Sequence, residues 1–149
     1  MKGEVKVMKK NLPQIEASFA VVGKEFSLTQ LTEALGILPT ETRTRKDWPK
    51  AIIENKNLPE EFRPRCEWSI TKKEDACLEV EVPIQKIISQ LRGKGRTLNE
   101  FCKKNNLEKS LLIVIHAKKM RLPAIYLSAQ TVSYLGKLGV EIGFDMYVY

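Results

Sequence analysis

A chain of 149 residues, 43% hydrophobic and 29% charged, has the size and composition of one folded domain and not of a disordered or low-complexity segment. Its 25 lysines and arginines against 18 acids leave a net charge of +7, which permits attraction to nucleic acid, anionic lipid or an acidic protein without selecting among them. The longest apolar run, residues 111–115, falls far short of the roughly 20 residues that cross a bilayer, and the apolar stretch at residues 19–23 is too short for a secretion signal, so the chain reads as a non-membrane, cytoplasmic protein.

The predicted elements follow in chain order, after residues 1–12, which read as a flexible lead-in to a single domain spanning 1–149. Alternation of Ile15, Ala17, Phe19 and Val21 over residues 14–22, ended by Gly23, predicts a strand with one buried face. Ser27 then offers a hydroxyl to a free amide of a first helical turn, and Leu28, Leu31 and Leu35 recur at helical spacing up to Gly36. Periodicity is lost over residues 40–64, among Pro49, Pro59, Pro64 and many charges, with one short helical turn expected near residues 51–54. Residues 65–72 set Cys66, Trp68 and Ile70 against Arg65, Glu67, Ser69 and Thr71, the pattern of a half-buried strand near a sheet edge.

Ile84, Ile87, Ile88 and Leu91 form one stripe of a helix opened by Pro83 and ended by Gly93. Thr97 and Glu100 suggest a capping box at the start of a second short helix carrying Leu98, Phe101 and Cys102. The β-branched run at residues 111–115 predicts a central strand buried on both faces. Residues 123–127 read as a further strand, Ser128 as the cap of a helix with Val132, Leu135 and Leu138, and alternation of Val140, Ile142, Phe144, Met146 and Val148 as the last strand. The order β-α-β-α-α-β-β-α-β makes this an α+β fold, with a mixed, largely antiparallel sheet and helices packed mainly on one face. The run from Phe26-Ser27 to Gly36-Ile37 echoes that from Leu127-Ser128 to Gly139-Val140, which leaves an internal duplication open beside the simpler reading of two similarly capped helices.

Chemistry-bearing residues are few. The sole histidine, His116, at the end of an apolar strand, reads as a hydrogen-bonded structural residue before a catalyst or ligand. Cys66, Cys77 and Cys102 form no CxxC pair and read as free thiols of a reducing compartment, Cys77 alone standing on a loop where it could react. Gly93-Lys94-Gly95-Arg96 could hold a phosphate at a helix start, but lacks the spacing of a nucleotide-binding loop and is read as an interhelical turn. Lys118, Lys119 and Arg121 read as a charged turn, and Asp145 as a solvent-facing acid opposite the apolar side of the last strand. No catalytic residue, metal ligand set or cofactor site is assigned. The candidate binding residues are Arg43, Arg45, Lys46, Trp48 and Lys50, cations gathered around an indole, able to meet an acidic protein surface or to stack on bases and neutralise phosphates. The bland alternative folds Trp48 back over the core and leaves the charges to water.

Leu35-Gly36-Ile37 with Pro39-Thr40, Trp68-Ser69 and Asp145-Met146-Tyr147 together resemble a bacterial domain-of-unknown-function family, number 4279, of small single-domain proteins. The resemblance runs over nearly the whole chain and implies a cytoplasmic protein similar in size and context to proteins that neutralise toxins by binding them. It carries no active site to these positions, and a glycine expected before Trp68 is absent. The sequence therefore leads to a non-catalytic binding protein, immunity-like, that recognises an acidic protein partner. The alternative is a nucleic-acid-binding module using residues 40–64.

Overall fold

Alternating side chains along five segments build one sheet whose strands run, in spatial order, β2-β3-β1-β4-β5. The computed structural model of the chain describes residues 11–149, so the lead-in expected at residues 1–12 lies outside the described residues up to Lys10. The strands are β1 (Gln14–Gly23), β2 (Glu41–Arg43), β3 (Cys66–Glu74), β4 (Glu108–Ala117) and β5 (Glu141–Val148). The helices are α1 (Leu28–Leu35), α2 (Lys50–Glu54), α3 (Glu81–Leu91), α4 (Gly95–Asn105) and α5 (Ala129–Leu138). Pairing is antiparallel for β2 with β3, β3 with β1 and β1 with β4, and parallel only for β4 with β5. The fold is the α+β architecture with a mixed, largely antiparallel sheet that the sequence predicts.

Register places Ile15, Ala17, Phe19 and Val21 beside Trp68, Ile70, Leu111, Ile113 and Ile115 on one face. That face buries its side chains against α1, α3, α4 and α5 through Leu31, Leu35, Ile84, Ile87, Leu91, Leu98 and Leu135. Trp68 is fully buried, and its indole N–H donates to Thr32 Oγ at 3.0 Å, so the largest core side chain leaves no unpaired polar group. Both predicted serine caps form: Ser27 accepts from the Gln30 amide and Ser128 from the Thr131 amide, each at 3.2 Å. Both helices close on a glycine in the left-handed region, Gly36 at φ 65° and Gly139 at φ 68°, where a Cβ would be strained. The local echo is thus real, yet the two units sit differently. The strands flanking α1 lie on either side of β3, whereas those flanking α5 are neighbours.

β3 lies near the edge of the sheet, with only the three-residue β2 outside it. Three local expectations need correction. Residues 111–115 belong to a strand buried on one face only: Leu111, Ile113 and Ile115 are buried, while Leu112 on the far face is 42% exposed. Residues 123–127 form no strand; Pro123 offers no amide, and Ala124 makes an isolated bridge to Glu79. Finally, α4 starts at Gly95 with Lys94 as its cap, so Thr97 lies inside the first turn and forms no capping box with Glu100, whose carboxylate instead meets Arg96 at 3.1 Å.

Candidate functional site

The stretch at residues 40–64 is more ordered than its sequence suggests. Thr40 donates its amide to Ser69 O at 2.7 Å, which starts the three-residue edge strand β2. A single 3-10 turn, Arg45–Asp47, follows, in which Asp47 accepts from the Thr44 amide at 2.7 Å and its hydroxyl at 3.0 Å. These hydrogen bonds, first from the amide and then from the hydroxyl, hold the Asp47 carboxyl below its ordinary range. Pro49 and Pro59 then set the entry to α2 and to a second 3-10 turn, Glu60–Phe62, each supplying a fixed φ where no amide is needed.

Trp48 anchors this segment. Its ring is half-buried, its N–H donates to Arg65 O at 2.9 Å, and the Arg43 guanidinium stacks over it 4.1 Å from the ring centroid. Arg65 in turn donates to Glu61 O at 2.8 Å and lies 3.6 Å from the Glu108 carboxylate, and Arg63 donates to Leu58 O at 3.1 Å. One face of the indole is therefore occupied and its polar edge is used, which weakens its case as a platform for a nucleic-acid base.

Beside this anchor the segment folds around a shallow depression of about 610 Å3. Arg45, Lys46, Lys56 and Arg63 line it together with Ile52 and Ile53, and Glu25 is the one acid among the lining residues. Of the five predicted binding residues, the structure brings Arg45 and Lys46 into this site. Arg43 and Trp48 form the stacked pair that supports it, and Lys50 is turned to Glu54 at 3.8 Å on the exposed side of α2. Lys56 and Arg63 were missed because nothing in their local sequence separates them from ordinary solvated cations. Only the fold of the loop brings them to the same depression as Arg45 and Lys46.

The sheet face away from the helices has the opposite character. Register puts Glu16, Glu41, Glu67, Glu108, Glu141 and Asp145 on it, with Arg43 and Lys73 as its cations within the strands. Among the described residues the excess of cations therefore sits on the helices and loops, and an anion approaching them is drawn there and not to the open sheet.

The other chemical candidates are absorbed by the fold. His116 is exposed, bonded through Nδ1 to the Tyr149 hydroxyl at 3.0 Å and stacked on Tyr147 with ring centroids 4.8 Å apart. Cys77 is not the accessible loop thiol that its position suggests. It is 8% exposed and its Sγ points to Glu79 O at 3.1 Å. Cys66 and Cys102 are buried free thiols, and burial raises the Cys102 thiol above its ordinary range, which disfavours the reactive thiolate. Gly93 turns the chain at φ 79° between α3 and α4, as an interhelical connection requires. Among the described residues no group of three or more His, Cys, Asp or Glu could hold a metal ion, and no helix is long and apolar enough to cross a membrane.

Comparison with known proteins adds one finding. Residues 13–149 match the family model described as Domain of unknown function (DUF4279), which covers nearly the whole chain, and the chain belongs to that family. No curated protein and no solved structure matches it.

Proposed function

We propose that this DUF4279 protein is a non-catalytic binding protein that receives an acidic protein partner in the depression formed by residues 45–64. The observation that supports this reading is that Arg45, Lys46, Lys56 and Arg63 line one depression together with Ile52 and Ile53. Such a site suits a carboxylate-bearing segment that also buries an aliphatic side chain, since the cations steer the encounter and the isoleucines supply contact area. An immunity-like role, in which the partner is a toxin held inactive by capping, is the biological form of this reading. The protein is proposed to act in the cytoplasm.

Nucleic acid is the less favoured partner. The indole offers at most one free face, and the open sheet, the surface on which a single strand could spread, is lined by carboxylates.

The test is affinity purification from native lysate, with and without nuclease, comparing the wild type with an Arg45→Glu/Lys46→Glu/Arg63→Glu variant. An acidic protein recovered stoichiometrically by the wild type, resistant to nuclease and lost with the triple reversal, is the expected result. Lys50→Glu serves as a matched control, because Lys50 lies outside the depression, and should leave recovery unchanged. Recovery of material that nuclease abolishes, or equal loss with Lys50→Glu, overturns the proposal.

A further inference from the structure

Exposed apolar side chains are not spread evenly over this protein. Among the described residues sixteen large hydrophobic residues are exposed, and five of them, Phe144, Met146, Tyr147, Val148 and Tyr149, fall together on β5 and the residue after it. β5 pairs with β4 on one side only, and its other edge carries backbone donors and acceptors with no strand beside them among the described residues. On the helix-side face of that edge Phe144 is 42%, Met146 41% and Val148 44% exposed. The equivalent positions of β4, Ile113, Ile115 and Ala117, are buried. The helix layer therefore stops short of β5. On α5, Gln130, Tyr134 and Lys137 line the cleft toward α3, which leaves Val132, 51% exposed, and Gly136 on the flank turned away from α3.

Natural sheets protect such edges by shortness, proline, lysine or a covering element. The opposite edge follows the rule, β2 being three residues long. β5 is less protected: its eight residues, Glu141–Val148, contain no proline, lysine or arginine, and Glu141 and Asp145 are its charges. We propose that β5 is the interface of a homodimer, in which two copies pair antiparallel about a two-fold axis at Phe144 and join two five-stranded sheets into one continuous sheet.

The charges of the strand exclude the two adjacent registers, and among those that remain an axis at Phe144 overlaps the strands most fully. An axis at Asp145 sets that carboxylate against its own copy, and one at Gly143 sets Glu141 against Asp145, both unfavourable like-charge pairs. An axis at Phe144 pairs Phe144 with Phe144 and Ile142 with Met146 on the helix side. On the other face it sets Asp145 against Gly143, which has no side chain to crowd it, and Glu141 against the Tyr147 hydroxyl. No like charges meet, and the apolar strips fall together. An isologous contact of this kind closes on itself and leaves only the short β2 edges at the two ends of the joined sheet. The cationic depression is at the β3 side of the sheet, adjoining Pro64 and Glu25, so dimerisation leaves it open in both copies.

Sedimentation equilibrium between about 1 and 300 μM reads the assembly, and the expected mass is twice the 17.0 kDa of the chain. Phe144→Lys places two ammonium groups at the axis and removes the central apolar pair. It should weaken association at least about a hundredfold, near 1.4 kcal/mol from each copy, while near-UV circular dichroism stays that of the wild type. As a measurement that does not depend on losing the interface, Phe144→Cys should form an intermolecular disulfide under mild oxidation, because directly opposed residues of antiparallel strands approach within bonding reach and the three native thiols are buried. A wild type that sediments as monomer over the whole range overturns the proposal. So does a dimer in which Phe144→Cys fails to cross-link.

Discussion

Trp48 is the position at which the candidate site can be loosened without touching the core. Burying an indole removes about 150–250 Å2 of surface, so half-burial withdraws roughly 100 Å2, worth about 2.5 kcal/mol at 25 cal/mol/Å2. The hydrogen bond to Arg65 O contributes about 1 kcal/mol and the Arg43 stack about 0.5 kcal/mol. Trp48→Ala therefore withdraws about 4 kcal/mol of anchoring from residues 44–64, enough to shift a local opening equilibrium by up to about a thousandfold. Trp48→Phe retains most of the ring and should forfeit about 1 kcal/mol, that of the N–H bond. Amide hydrogen exchange followed by mass spectrometry resolves the outcome by segment. Protection should fall across α2 and the two 3-10 turns and persist in β1, β3 and β4. Loss spread equally over the sheet would show that Trp48 belongs to the global core, and unchanged protection in α2 would show that other contacts hold the segment; either result refutes the anchoring argument.

Thr32→Val keeps the shape of the side chain but strands the buried indole N–H of Trp68, and should cost about 1–3 kcal/mol in urea unfolding, whereas Thr32→Ser should cost less than 1 kcal/mol. Glu81 accepts the Ser128 amide at the start of α5, a bond that lowers its carboxyl below the usual 4.5, while partial burial opposes the shift. A carboxyl depressed in the folded state stabilises the protein above its unfolded pKa and ceases to do so as pH falls through the folded value. Thermal melts of wild type and Glu81→Gln should therefore differ by about 1 kcal/mol at pH 7, with the gap closing below about pH 4.5; a gap independent of pH counts against the linkage. Gly36→Ala should lower stability by about 1–2 kcal/mol through left-handed strain alone, read from the same melts with no change in the folded spectrum, since no backbone or core atom crowds the site.

Elements governed by their own neighbours were legible in the sequence. β1, α1 and α5 fall where alternation, a serine cap and a terminal glycine place them, because each signal is local. What escaped depended on distant partners. Glu41–Arg43 carries no apolar alternation and is a strand only because β3 offers it an open edge. Leu112 and Val114 look like core within residues 111–115, yet they face away from the helices, since apolar residues are tolerated on a solvated sheet face and periodicity within a five-residue run cannot reveal that. Residues 123–127 resemble a strand in composition but find only Glu79 to bridge. At the site the sequence points to the cationic loop and to Arg45 and Lys46, but not to Lys56 and Arg63. Arg45 and Lys46 meet Lys56 and Arg63 through the turns set by Pro49 and Pro59, a geometry with no signature in spacing.

The contrast between the two indoles gives the protein a built-in optical reporter. Trp68, sealed in the core, should emit at short wavelength and resist acrylamide. Trp48, half-exposed under a guanidinium and beside the cationic depression, should emit further to the red and be quenched readily. Any ligand that settles on Arg45 and Lys46 will change the second signal and leave the first as an internal standard, so occupancy of the loop can be followed in the unlabelled native chain.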